Sequence, residues 1–156
     1  MATDKWATPQ YVFDYLNERF GPFDMDAAAA DDTAKCEDYF TLEDAALTQP
    51  WFGRVFVNPP YGNIGPWVNK AEEETKAGRA DLVLMLLPPR TDQRWWQEGV
   101  TVSATNVYFI KGRIAFELPG KSNCSFEPSI VVVFSGRFPA GPVYRTMEIP
   151  KPARVV

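Results

Sequence analysis

The sequence predicts an α/β fold with a mixed, mostly parallel sheet, and three features predict it. Residues 82–87 form a continuous apolar run of strand length, as expected of a strand covered on both faces. A second buried run, residues 55–57, comes before it, and a helix-like segment opened by Gly65-Pro66 lies between the two. Later apolar stretches at 107–110, 114–118 and 130–134 read as further strands, some of them hairpin-like. Strand, helix, strand and then hairpins make a mixed sheet in one layered domain.

The elements follow in chain order. Thr8-Pro9 starts the first helix: Thr8 can cap it and Pro9 suits its first turn. Val12, Phe13, Leu16 and Phe20 recur at helical spacing, and Gly21-Pro22 stops the helix. Residues 23–26 form a short strand ending at Asp26, and residues 27–50 are polar and irregular, with a short helix near Ala27. The strand at 55–57 runs into Asn58-Pro59-Pro60, where two prolines end pairing and helix alike. The second helix carries Trp67, Val68 and Ala71 inward and residues 72–76 outward, and Gly78 closes it. Residues 91–98 form a helical turn, and Lys111-Gly112-Arg113 form a hairpin turn. Residues 130–134 are the last core strand. Pro139, Pro142, Pro150 and Pro152 make the tail irregular from about residue 138 of a single domain spanning 1–156.

Composition removes whole classes of chemistry. The chain has no histidine, which excludes Ser-His and Cys-His nucleophiles and His-based metal sites; no metal is expected. Cys36 and Cys124 show no metal-ligand spacing and read as free thiols in a reducing compartment, with one disulfide left open. No apolar run approaches the roughly 20 residues that span a bilayer, so no membrane partner is expected. Residues 1–10 lack the basic-then-apolar pattern of a secretory signal. The net charge of −4 is unevenly spread: residues 1–80 carry 14 Asp+Glu against 7 Lys+Arg, and residues 81–156 carry 6 against 9. That division suits a small cationic ligand on one side and a polyanion on the other; chance clustering of surface charge is the alternative.

The segment with chemical content is Val55-Phe56-Val57-Asn58-Pro59-Pro60-Tyr61. A buried strand delivers an amide, two prolines and an aromatic ring to a sheet edge, where ligands of α/β proteins bind. The arrangement suits reaction at an exocyclic amine, whose lone pair is delocalised into its ring. The Asn58 side-chain oxygen and the Pro59 carbonyl can accept the two amine hydrogens, and the prolines hold both acceptors in place. Tyr61 can stack on the ring that carries such an amine. The amine becomes acidic only after it has reacted, so no histidine is needed.

Asn58-Pro59-Pro60-Tyr61 is similar to the catalytic motif of amino-group methyltransferases that act on adenine in DNA. The wider pattern resembles the small phage-type DNA N6-adenine methyltransferases, the Dam family of phages and prophages. The matching stretches include Trp6-Ala7-Thr8-Pro9, Phe23-Asp24-Met25-Asp26-Ala27-Ala28 and Phe40-Thr41-Leu42-Glu43-Asp44-Ala45-Ala46-Leu47. Trp51, Pro66-Trp67-Val68, Leu87-Pro88, Thr91-Asp92, Trp95-Trp96 and Gly112-Arg113 extend the match over most of residues 6–135.

The resemblance implies a Rossmann-like methyltransferase that uses S-adenosyl-L-methionine and acts on double-stranded DNA, as a monomer or homodimer, in the cytoplasm of a bacterial host. Thr8 and Pro9 match the helix start that holds the cofactor's methionine end, with Trp6 packing on it. Asp26 and Ala27 fall where the first strand ends beside the methionine or ribose. Asp44 matches the acid that accepts from the cofactor's adenine amine, and Asn58 borders cofactor and substrate. The family's glycine-rich loop is absent, and alanines stand at 27–30. The stretch from 26 to 44 is short for the helix, strand and acid expected there, which leaves the ribose contact open among Asp31, Asp32 and Glu37.

A flipped adenine would need an aromatic platform. Tyr61 is the first candidate, and Trp67, Trp95 and Trp96 are either further ones or core. Phosphate and base-edge contacts fall to Arg90, Arg94, Lys111, Arg113 and Lys121, with Arg90 first because it follows the strand at 82–87 onto the edge of Asn58. Arg113, on its turn, would enter a groove. Two alternatives stay open: methylation of protein glutamine or RNA adenine, and a catalytically inactive cofactor- or DNA-binding module.

Overall fold

The computed structural model describes residues 6–118, 124–137 and 140–153. Seven strands form one sheet: β1 (Met25–Asp26), β2 (Asp38–Tyr39), β3 (Gly53–Val57), β4 (Ala80–Leu87), β5 (Asn106–Glu117), β6 (Cys124–Phe134) and β7 (Val143–Met147). Their order is β2-β1-β3-β4-β6-β5-β7. Only β6 is reversed, antiparallel to β4 on one side and to β5 on the other. The remaining pairs are parallel, so the sheet is mixed and mostly parallel, with a Rossmann-like layout.

Strand periodicity decides what covers each face. Val55 and Val57 of β3 and Val83, Met85 and Leu87 of β4 point to one side, where they pack with Val68 and Ala71 of α2 (Gly65–Lys76) and with Trp96 and Val100. Phe56, Leu82, Leu84 and Leu86 point to the other, against Val12, Phe13 and Leu16 of α1 (Gln10–Phe20). With both faces covered, β4 is apolar and buried from Leu82 to the end of the strand.

Chain order also creates a crevice. From β1 the chain passes outward to β2 and then returns to β3 on the opposite side of β1. Connections that diverge in this way leave an opening beyond the strand ends, the usual ligand position in such sheets. Asp26 and Asn58 stand at its two lips. Past the pairing of Leu87 with Ile130, the β5–β6 ribbon continues through pairs such as Phe116 with Ser125 and overhangs this edge. Ala7 pairs with Glu117 through two backbone bonds of 2.6 and 3.0 Å, which ties the N-terminal segment to the ribbon.

Several expectations are corrected. Lys111-Gly112-Arg113 is not a hairpin turn. β5 runs through it with a register shift between Phe109 and Arg113, and Gly112 has φ 78°, so the extra residues are absorbed as a bulge. The tail is not wholly irregular, because Val143–Met147 adds an edge strand parallel to β5. No helix forms near Ala27; the segment holds β2 and two short 3-10 turns. Residues 91–98 give way to a π-helical segment, Trp95–Val100. Lys121 lies outside the described residues.

Residues 72–76 are not uniformly outward either. Glu74 is fully buried and Thr75 nearly so. The Glu74 carboxylate accepts from the Trp51 N–H at 2.7 Å and from Arg79 Nε at 2.7 Å, with a further bond from Arg79 Nη2, and Lys70 lies 3.5 Å away. Burial alone would raise its pKa; the Arg79 bond, the Trp51 N–H and the two positive charges together hold it below the usual glutamate value.

Candidate active site

Two prolines stop β3 after Val57, and they leave the backbone of Asn58 and Pro59 outside any ladder. Asn58 Nδ2 donates to Thr8 Oγ1 at 3.0 Å. Thr8 is therefore not the helix cap expected of it: Pro9 holds the cap position, just before rather than within the first turn, and makes no side-chain cap bond. The reason is placement. Thr8 is almost fully buried, and the Ala7–Glu117 pairing draws its segment over the end of β3. With its donor end occupied, Asn58 presents Oδ1 as the free end. Among the described residues, neither Asn58 Oδ1 nor the Pro59 carbonyl accepts a hydrogen bond.

Tyr61 does not stand open as a stacking platform. Its ring meets Phe116 of the overhanging ribbon edge-on, with centroids 6.4 Å apart. Its hydroxyl is buried and has no hydrogen-bond partner among the described residues, and burial, with Glu127 adding to it, pushes the phenol well above its usual range. Arg90 Nη1 donates to the Tyr61 carbonyl at 2.7 Å, and the guanidinium carbon lies 5.8 Å from the ring centroid. Arg90 thus clamps the motif loop, and among the described residues four of its five N–H donors are left for other contacts. Because a buried orphan hydroxyl costs about 1–3 kcal/mol, Tyr61→Phe is expected to raise the melting temperature of the ligand-free protein. A thermal melt checks this.

Asp26, at the end of β1, is 3% exposed. Its two oxygens accept backbone N–H groups of Ala28 at 3.3 Å and Lys35 at 3.1 Å, so it shapes the 27–35 loop directly. Burial pushes its carboxyl up to about 6 against the pull of those two bonds. Ala27 is fully buried at the same strand end. Asp44 sits on a 3-10 turn beyond β2, fully exposed, and accepts from the Thr41 N–H at 2.7 Å and hydroxyl at 3.0 Å as half of a capping box. Trp6 packs on the α1 side of the core. A buried carboxylate, small alanine side chains and open acceptors around one crevice form a set of acceptors that fits a cationic, amine-bearing cofactor such as S-adenosylmethionine.

The cationic candidates divide. Arg90 and Arg94 belong to the motif's neighbourhood, and Arg94 pairs with Glu98 at 3.3 Å. Lys111 pairs with Glu148 at 3.7 Å, and it and Arg113 are exposed on the β5 bulge. The sequence reading missed the roles of Phe116 and Glu127. The alternation of residues 114–118 marks Phe116 as inward, but only the ribbon's overhang brings it to Tyr61.

The family of DNA N-6-adenine-methyltransferases (Dam) matches residues 1–144. The DNA N-6-adenine-methyltransferase of Haemophilus phage HP1 is 32% identical over 143 residues, covering 88% of this chain and 82% of the relative. That of Escherichia phage T1 is 32% identical over 120 residues, covering 75% of this chain and 49% of the relative, so this chain spans about half of that protein. A crystal structure from Pyrococcus horikoshii, described as a proposed RNA methyltransferase, aligns with TM-score 0.48 and 17% identity over 80% of this chain and 68% of its own. With the family match running over residues 1–144, through both lips of the crevice and the motif that forms one of them, the chain belongs to the DNA N-6-adenine-methyltransferase (Dam) family.

Proposed function

We propose that this protein transfers a methyl group from S-adenosyl-L-methionine to the N6 amine of an adenine flipped out of double-stranded DNA. The observation that carries the reading is the pair of unoccupied acceptors at the end of β3, with Thr8 engaging the donor end of the Asn58 amide. The cofactor supplies an electrophilic methyl group. Asn58 Oδ1 and the Pro59 carbonyl accept the amine hydrogens, favour localisation of the nitrogen lone pair and stabilise the positive charge that develops on it. Pro60 keeps the loop from relaxing, and Arg90 holds Tyr61 beside it. The proton leaves after transfer, when the amine is acidic, so a chain without histidine suffices. Asp26 and Ala27 at the end of β1, with Thr8 and Pro9 before α1 and Asp44 beyond β2, are the residues assigned to the cofactor. Arg94, Lys111 and Arg113 are assigned to phosphates. The proposed setting is the cytoplasm of a bacterial host, a reading that the phage origin of the relatives supports.

The Asp26 assignment has a pH signature. A folded-state pKa raised to about 6 means that the stability contributed by the protonated carboxyl is present below the ordinary value of 3.8 and is lost as pH rises through 6. A bound cation reverses this by favouring the ionised form. The increase in melting temperature given by S-adenosylmethionine is therefore expected to grow between pH 5 and 7. Asp26→Asn removes that growth.

The function itself is tested by incubating the protein with methyl-labelled S-adenosylmethionine and separate pools of DNA, RNA and protein. N6-methyladenine in DNA supports the reading. Label only in RNA or on glutamine replaces it with another amino-group methylation, and cofactor binding without transfer to any pool marks an inactive binder.

A further inference from the structure

Behind the motif loop, between the start of α2 and the segment around residues 90–99, lies a cavity of about 400 Å³. That is within the range of sites that hold small organic ligands. Its wall includes Tyr61, Arg90 and Trp95 together with the carboxamides of Asn63, Asn69 and Gln93. Among the described residues none of these three amides makes a side-chain hydrogen bond, although thirty-one other bonds involving side chains are formed. Three open amides around one cavity present paired donors and acceptors, the chemistry that reads the edge of a nucleobase. Trp95 supplies aromatic surface of the kind on which bases stack. Tyr61 belongs both to this wall and to the motif, so the cavity adjoins the place assigned to the target base.

We propose that this cavity receives the base next to the target adenine in the DNA strand, and that Asn69 and Gln93 read it. The inference rests on the reading of the protein as a DNA adenine methyltransferase and names a determinant of its sequence selectivity. The two amides stand on separate elements, one on α2 and one in the loop before Trp95–Val100, so they can address a base from two directions.

The test uses the full chain and duplexes with randomised bases around a single adenine, scored by sequencing for methylation. Wild-type protein is expected to prefer one base at a position adjoining the methylated adenine. Asn69→Leu with Gln93→Leu is expected to flatten that preference by about tenfold while leaving S-adenosylmethionine binding unchanged. Gly62→Trp provides a second route. Gly62 lies on the cavity wall and a Cβ there meets nothing within 4 Å, so a large side chain is tolerated and is expected to narrow the cavity. It is expected to raise KM for DNA with cofactor affinity and melting temperature retained. Unaltered base preference in the double variant together with unaltered KM in Gly62→Trp would overturn the proposal. Should the double variant melt early, unaltered KM in Gly62→Trp overturns it alone. Wild-type protein that methylates no adenine in any duplex overturns the parent reading instead, an outcome distinct from methylation without a preference at the adjoining position.

Discussion

Replacing Asn58 by alanine is expected to lower methyl transfer to DNA by about 10²–10³-fold, the usual cost of deleting one preorganised polar contact to developing charge. The loss should fall on kcat, because the contact matters most once the amine begins to carry positive charge. Asn58 is half-buried on a loop held by two prolines, and its one side-chain hydrogen bond among the described residues goes to Thr8, so the fold should survive the change. Thr8→Val keeps the shape of the threonine side chain but removes the hydroxyl that orients the amide. It is expected to reproduce part of the kcat loss while Asn58 is intact. Single-turnover rates with both variants, alongside cofactor titrations, check the pair. An Asn58→Ala protein that transfers at the wild-type rate would remove the amide from the mechanism.

Glu74→Ala is expected to destabilise the protein by about 3 kcal/mol, toward the low end of the cost of breaking a buried ion pair. Removing the carboxylate leaves the Trp51 N–H without its 2.7 Å partner and leaves Lys70, largely buried, without a counter-charge. Arg79 is about half exposed and recovers solvation, which is why the upper end is not expected. For a chain of this size the change corresponds to a fall of about 10 °C in melting temperature. Because the native glutamate pKa is lowered, the stabilisation is present above the ordinary value of 4.5 and disappears as pH falls through the native value. The gap in melting temperature between wild type and variant should therefore narrow in acid. The same site accounts for the position of Trp51: Glu74 holds its backbone, and the Ala46 carbonyl accepts from its indole N–H at 3.0 Å.

The sequence by itself determined the sheet's central elements. The apolar run at 82–87 and the strand at 55–57 became β4 and β3 because continuous burial on two faces leaves a local pattern. Helical spacing from Val12 to Phe20 gave α1 for the same reason. The strand-end placement of Asn58-Pro59-Pro60-Tyr61 was likewise legible, since a double proline can only terminate a strand there. Non-local contacts were not legible. Lys111-Gly112-Arg113 has the composition of a turn, and only pairing with β6 made it a bulge. Glu74 has the periodicity of a surface residue, and only Arg79, Lys70 and Trp51 drew it inside. Thr8 has every local property of a helix cap, yet the pairing of Ala7 with Glu117 carried its hydroxyl to Asn58, 50 residues away in sequence. Local patterns report burial and backbone preference, which neighbours in sequence decide. The partners of a polar side chain are decided by which strands meet at one sheet edge, and only the tertiary structure holds that information.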